Sequence, residues 1–205
     1  MFSSFISAGL LCVACSVSEF DSPEALNAYI QSPGNNLTKS VEANGYDIRV
    51  TYRPTDLLVY QELEGQTFDS SKVSALRRKY GQYYYFILSL SKDSKEALSV
   101  GQGMGQYSEL VQTLSFRMQN YVSLTTSSSD TIPLADFMLN RTYGLSRSTE
   151  MLLAFDGKNT DGENWLQFNL ADFGLGTRSR CFKFFKKDLD RVPHINFVKL
   201  IDTNL

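Results

Sequence analysis

A chain of 205 residues with 20 basic and 22 acidic side chains, formal net charge −2, offers no global attraction for nucleic acid or anionic lipid heads, so an anionic partner would need a local patch. Hydrophobic residues at 42%, charged residues at 20%, 14 Phe and 11 Tyr exclude a disordered chain and bound the protein to one domain with a buried core. A single histidine, His194, excludes zinc sites built on several imidazoles.

The segment from Phe2 to Ala14, FSSFISAGLLCVA, carries no charge, and Glu19 and Asp21 follow soon after. At about 1.5 Å per residue, a helix of this length falls short of the roughly 30 Å hydrocarbon core, which suits the apolar region of a signal peptide better than a membrane span. The run closes on Leu10-Leu11-Cys12-Val13-Ala14-Cys15. It resembles a bacterial lipobox, with Cys12 standing where that family usually carries Leu, and the chain resembles an envelope lipoprotein of Bacteroidota type. The resemblance implies that residues 1–14 are a lipoprotein signal peptide, and that Cys15 becomes a diacylglyceryl thioether with an acylated amine. The implied partner is membrane lipid, reached through acylated Cys15. Ser16 stands where an Asp would retain such a protein in the inner membrane, so the expected location is the cell envelope, at the outer membrane. Two or more acyl chains, at about 0.8 kcal/mol per buried methylene, make such an anchor stable. A cleaved secretory peptide and an apolar segment packed into the fold are the other fates open to this run.

Residues 15–40, rich in Ser, Asn, Asp and Pro, read as the lipidated cysteine and a tether, within which Pro23–Tyr29 after Ser22 has the makings of a short capped helix. Residues 41–205 then form a single globular domain. Tyr46–Tyr52 alternates as a half-buried strand does and ends at Pro54. A helix is predicted over Ser71–Tyr80, with Val73, Leu76 and Tyr80 on one face and Arg77, Arg78 and Lys79 in the last turn, where cations are favoured. Gln82–Ser91, QYYYFILSLS, is apolar on both alternating faces, as a central strand covered on two sides is. A second helix is predicted over Gln106–Asn120 from the stripe Tyr107, Leu110, Val111, Leu114 and Met118. The remaining segments read as strands: 121–126, 136–143, 150–156, 164–170, 181–185 and 195–198. The expected fold class is α+β, a mostly antiparallel sheet with two main helices packed on one face.

Chemistry is sparse. No GxSxG surrounds a serine, and His194 beside Pro193 reads as a partly exposed structural residue. Gly101-Gln102-Gly103-Met104-Gly105 lacks a Walker lysine and departs from GxGxxG spacing, so it reads as a connection. Asp156–Glu163 holds calcium-loop ingredients out of EF-hand register and reads as a polar hairpin turn. Cys181 reads as a small buried residue on a strand. Arg178, Arg180, Lys183, Lys186 and Lys187, interleaved with Phe182, Phe184 and Phe185, form a possible surface for an anionic ligand, with an anionic glycan preferred over nucleic acid. Asp130-Thr131-Ile132 resembles a short O-glycosylation signal of exported Bacteroidota proteins. The functional expectation is a noncatalytic binding or structural role at the membrane, with an envelope protein as a possible partner and with no cofactor and no metal. The alternatives are an envelope hydrolase of the carboxylate-pair glycosidase type, whose acids need no sequence motif, and an adhesin using the basic surface.

Overall fold

The computed structural model of the protein describes residues 19–64, 66, 69–100 and 103–203; the expected signal peptide, 1–14, and Cys15 lie outside them, as do Gly101 and Gln102. Among the described residues are six α-helices and a nine-stranded antiparallel sheet, so the α+β expectation holds.

The chain joins the fold at Phe20, well before residue 41. The Phe20 N–H donates to the His194 carbonyl at 2.8 Å, and the Phe20 carbonyl accepts from the Asn196 N–H at 2.8 Å, closing a parallel bridge with Ile195. Next comes α1 (Pro23–Gln31), with Pro23 at its first turn and the Ser22 hydroxyl accepting the Ala25 N–H at 3.2 Å, as a helix start prefers. Leu26, Ile30 and Leu37 are buried in the main core. The tether expected over 15–40 is therefore corrected from Phe20 onward, because a segment that buries three large apolar side chains is held by their transfer free energy and gives no reach.

The first strand, β1 (Thr38–Ala43), carries little sequence signal because it is an edge strand, paired only with β2 (Tyr46–Arg53). The two are joined through Asn44-Gly45, both at positive φ (50° and 74°), the turn geometry that matches the twist of a two-residue hairpin. A helix absent from the expectations follows Pro54: α2 (Thr55–Leu63) buries Asp56, Leu57, Leu58, Val59 and Leu63, so its sequence shows no single apolar stripe. The helix expected over 71–80 is α3 (Ser70–Tyr80), capped by the Asp69 carboxylate on the Ser71 N–H at 3.0 Å. The one expected over 106–120 is α4 (Met104–Phe116), which buries Leu110, Thr113 and Leu114. α3 packs mainly against α2, whereas α4 meets the sheet at β6.

The other strands are β3 (Tyr83–Lys92), β4 (Lys95–Glu96), β5 (Val122–Thr126), β6 (Thr131–Asn140), β7 (Thr149–Asp156), β8 (Trp165–Leu170) and β9 (Arg180–Phe185). Their order is β1-β2-β3-β7-β6-β5-β8-β9, with β4 hydrogen-bonded to β3. Phe86 of β3 and Phe184 of β9 stand 5.0 Å apart between ring centroids, although β7, β6, β5 and β8 lie between them in the sheet. The sheet thus curls into a nearly closed barrel. Its interior is aromatic: Phe86 also meets Phe155 at 6.0 Å and Phe168 at 5.6 Å in edge-to-face geometry.

Two expectations near the C-terminus are corrected. Residues 195–198 do not form a strand; Ile195 makes its single bridge and the chain turns into α6 (Phe197–Thr203), with the Asn196 side-chain oxygen accepting the Lys199 N–H at 3.2 Å in the manner of a helix cap. Cys181 is a free, exposed thiol, because β9 turns Phe182 and Phe184 inward and its alternation leaves Cys181 outside.

Candidate functional site

Strand alternation in β3 turns Tyr85 to an outer site and Tyr84 to an inner one, while Tyr83, at the start of the strand, borders both. Tyr84 points to the same side as the interior Phe86, whereas Tyr83 and Tyr85 stand on the outer face. The inward and outward sites differ in chemistry.

The outer site is a groove of about 550 Å³ between α2, the end of α3 and the outer face of β3, β7 and β6. Its depth comes from two local features. Ala154 of β7 pairs with Tyr85 on one side and Asp136 on the other, so the floor carries a methyl group where its neighbours carry large side chains. The register of β6 shifts between Leu134 and Asp136, a bulge at Ala135 that bends this strand beside the floor. Leu58 of α2 and Leu152 of β7 pack with Tyr85 and Ala154. Tyr85 lies 6.1 Å from Tyr80 (interplanar 71°) and 6.1 Å from Tyr83 (53°), making a tilted aromatic wall. Burial pushes the Tyr85 phenol up to about 12, so it stays a protonated donor. The Tyr80 hydroxyl donates to Glu62, which also accepts from Lys79 at 3.1 Å; the Tyr80 bond, with Lys79, holds the Glu62 carboxyl below its ordinary value. Gln61, Glu62 and Asp136 are the polar groups of an otherwise apolar lining.

The inner site is a polar cleft of about 330 Å³ at one end of the barrel. Here Lys186 donates to the Tyr84 hydroxyl at 2.5 Å and to Asp190 at 2.9 Å. Thr160 donates to the Gly157 carbonyl at 2.8 Å, which leaves its oxygen to accept from Tyr84 at 3.0 Å. Burial disfavours the Lys186 ammonium, but its bonds to Tyr84 and Asp190 outweigh that and raise its pKa. Tyr52, beside them, is pushed up by burial first and then by Tyr84 and Asp190. At the cleft's edge Asp56 is 2% exposed and accepts from Arg77 Nε and Nη2, both at 2.7 Å, from the Ile195 N–H at 2.7 Å, and contacts His194 Nδ1 at 3.2 Å. Burial alone would raise the Asp56 carboxyl; hydrogen bonds from His194, Arg77 and Ile195, together with the guanidinium charge, hold it at about 2. The same bond to Asp56 raises His194 above its ordinary value. Arg77 also donates to the Ile195 carbonyl at 3.0 Å and lies 5.2 Å over the Phe197 ring. The cleft's strong polar groups are therefore committed to each other, and they fasten residues 194–197 to α2 and α3.

The five residues proposed for an anionic ligand do not converge. Lys186, its side chain 15% exposed and neutralised by Asp190, shares a depression with Lys187, Asp161 and Glu163, while Lys183 lies 4.1 Å over the Trp165 ring on the outer face of β9. Lys187 lies 5.6 Å over Phe185, Arg180 pairs in register with Leu170, and Arg178 sits at φ 59° in the turn before β9. The segment over 156–163 joins β7 to β8, which do not pair, so the expected hairpin turn is corrected to a crossover connection; its Asp156 carboxylate accepts the Lys158 N–H, and its Glu163 carboxylate accepts from Ser127 and Ser128 of the turn between β5 and β6. No group of three or more His, Cys, Asp or Glu among the described residues is arranged to hold a metal ion.

No family model and no curated protein matches the chain. Among solved structures, that of a novel protein of unknown function from Burkholderia pseudomallei K96243 is similar at 11% identity and TM-score 0.40, covering 82% of this chain and 87% of that one. The site is accordingly read from its own chemistry. The groove escaped the sequence reading because its floor is one alanine and its bend one extra residue; the detectable sign was the alternation of Tyr83 and Tyr85 against Tyr84 and Phe86.

Proposed function

We propose that the chain is an envelope lipoprotein, anchored through acylated Cys15 at the outer membrane, whose globular part binds a ligand without catalysis in the tyrosine-walled groove. The observation that carries the binding reading is the combination of a methyl-sized floor at Ala154 with the wall of Tyr80, Tyr83 and Tyr85, a concave apolar surface of the size that takes small molecules. Glu62 and Asp136 on the lining favour a ligand with an apolar body and a polar end that donates hydrogen bonds, and disfavour an anion. The anchor reading rests on the lipobox resemblance at Leu11–Cys15, and no helix among the described residues is long and apolar enough to cross a membrane.

The glycosidase alternative finds weaker support. A general acid needs a raised pKa, whereas Asp56, the deeply buried acid of the cleft, is held at about 2 and is committed to Arg77. Two measurements test the proposal. Titration with Nile red, a neutral apolar dye, should give a saturable fluorescence rise that Ala154→Phe weakens by at least about tenfold, since the added ring fills the floor; an unchanged titration refutes the groove. Intact mass of the natively expressed protein should show acyl chains on Cys15, and a mature protein that carries no acyl mass there refutes the anchor.

A further inference from the structure

A second surface, on another part of the barrel, is built to project apolar side chains outward. After β6 the chain turns through Tyr143 and Gly144, both at positive φ (52° and 84°), a conformation unusual for an aromatic residue. The turn is held by Glu96 of β4, a buried carboxylate that accepts from the Thr142 hydroxyl, from the Gly144 N–H at 3.0 Å and from the Ser146 N–H at 2.9 Å. Arg141 ties the same loop to α4 by donating to the Ser115 hydroxyl at 3.0 Å. These contacts keep Tyr143 83% exposed and Leu145 92% exposed. Tyr107 and Val111 of α4 stand beside them around a small depression of about 250 Å³ shared with Arg141 and Tyr143. Between Asn140 and Thr149 the chain carries Arg141 and Arg147 and no acid, and Glu109 of α4 lies about 160° round the helix from both Tyr107 and Val111, away from this face.

We infer that the loop over 141–147 and the adjoining face of α4 form a contact surface for an anionic lipid bilayer, with Tyr143 and Leu145 entering the headgroup region and Arg141 and Arg147 facing lipid phosphates. The inference rests on the proposed envelope location and is independent of acylation. A bilayer suits this surface better than a folded partner, because isolated projecting tips of Leu and Tyr flanked by guanidinium groups need no shape-matched counterpart. A buried carboxylate that locks a left-handed tyrosine gives the tips a fixed direction.

The test uses the full chain carrying Cys15→Ser, so that no acyl chain contributes, in sedimentation with vesicles of phosphatidylglycerol and phosphatidylcholine in equal amounts and with phosphatidylcholine alone. Binding by the leader gives a background common to both lipids, whereas the loop adds a component seen with the anionic vesicles and weakened by salt. That component should fall roughly tenfold in Tyr143→Ser/Leu145→Ser and roughly threefold in Arg147→Gln, with thermal unfolding unchanged. In a Tyr143→Trp form, whose Gly144 turn is retained, the indole emission should shift to the blue on anionic vesicles. Equal binding to both vesicle types overturns the inference. So does a double variant that binds as wild type does, or a self-association that the Tyr143→Ser/Leu145→Ser change abolishes, which would assign the face to a second copy of the chain. Failure of the acylation reading is seen separately, in the intact mass.

Discussion

Tyr83 and Tyr85 face out of β3 into an apolar groove, whereas Tyr84 between them faces in and is clamped by Lys186 and Thr160. The same side chain therefore serves as an open wall on one side of the strand and as glue on the other. On the inner side Asp56 is paired with Arg77, His194 and Ile195, and Lys186 with Tyr84 and Asp190. On the outer side the tyrosine rings touch one another and leave area uncovered. The contrast separates stability from binding: damage to the inner side should unfold the protein, and damage to the outer side should cost it a ligand.

The largest loss is expected from Phe86→Ala. Phe86 is fully buried and meets Phe155, Phe168, Phe184 and Tyr52, so truncation opens a cavity where β3 meets β9 across the curled sheet. Denaturant unfolding should show a loss of about 4 kcal/mol. Next comes Asp56→Asn, which leaves Arg77 without its charge partner and should lose about 3 kcal/mol. Wild type should also show a steeper acid limb than this variant. The Asp56 carboxyl is depressed from 3.8 to about 2 on folding, so its contribution of about 2 kcal/mol is complete above pH 3.8 and is lost as pH falls through about 2. His194 acts in the opposite direction: its raised pKa gives stability that is full below its ordinary value of 6.5 and fades as pH rises through the folded value. Unfolding midpoints in a pH series check both limbs, and an Asp56→Asn protein that loses stability between about pH 4 and 2 as steeply as wild type does would refute the assignment.

Much of the fold was legible because it repeats a pattern. Strand 46–52 alternates, 82–91 and 150–156 are short apolar runs, and the helix over 71–80 shows a stripe, so pattern finds them within a residue or two. The misses have separate physical causes. β1 is polar because it is an edge, α2 is apolar nearly all round because it is buried, and the segment after Ile195 is set by a cap at Asn196 and a bridge to Phe20, which is 175 positions away in the chain. Asn44-Gly45 is a hairpin signal just past the expected tether, which covered the first half of β1. The basic run over 178–187 misled because charge was counted along the chain, whereas strand alternation and the Lys186–Asp190 pair dispersed it in space. His194 gave no sign of Asp56, 138 positions away, since ion pairs between distant segments leave no periodicity.

A smaller inner effect should follow Tyr84→Phe, which removes the hydroxyl that accepts from Lys186 and donates to Thr160. Lys186 keeps Asp190, so the loss should be about 1 kcal/mol, with Nile red binding unaltered. If dye binding fell instead, the two sides of β3 would be one site and the contrast would fail.

The smallest stability change and the clearest functional one should come from Tyr83→Ala. Tyr83 is 37% exposed and meets Tyr85 at 6.1 Å, so its removal forfeits one ring contact and little buried area. Unfolding should shift by about 1 kcal/mol or less, while Nile red affinity drops by roughly tenfold because the wall loses the ring nearest solvent. Tyr83→Phe separates the two properties of that ring: it keeps the stacking surface and deletes the hydroxyl, so retained affinity would assign the wall's role to its aromatic face, and lost affinity would assign it to the hydroxyl as a hydrogen-bonding group. A Tyr83→Ala protein that binds the dye as wild type does, yet unfolds several kcal/mol more easily, would reverse the roles given to the two sides of the strand.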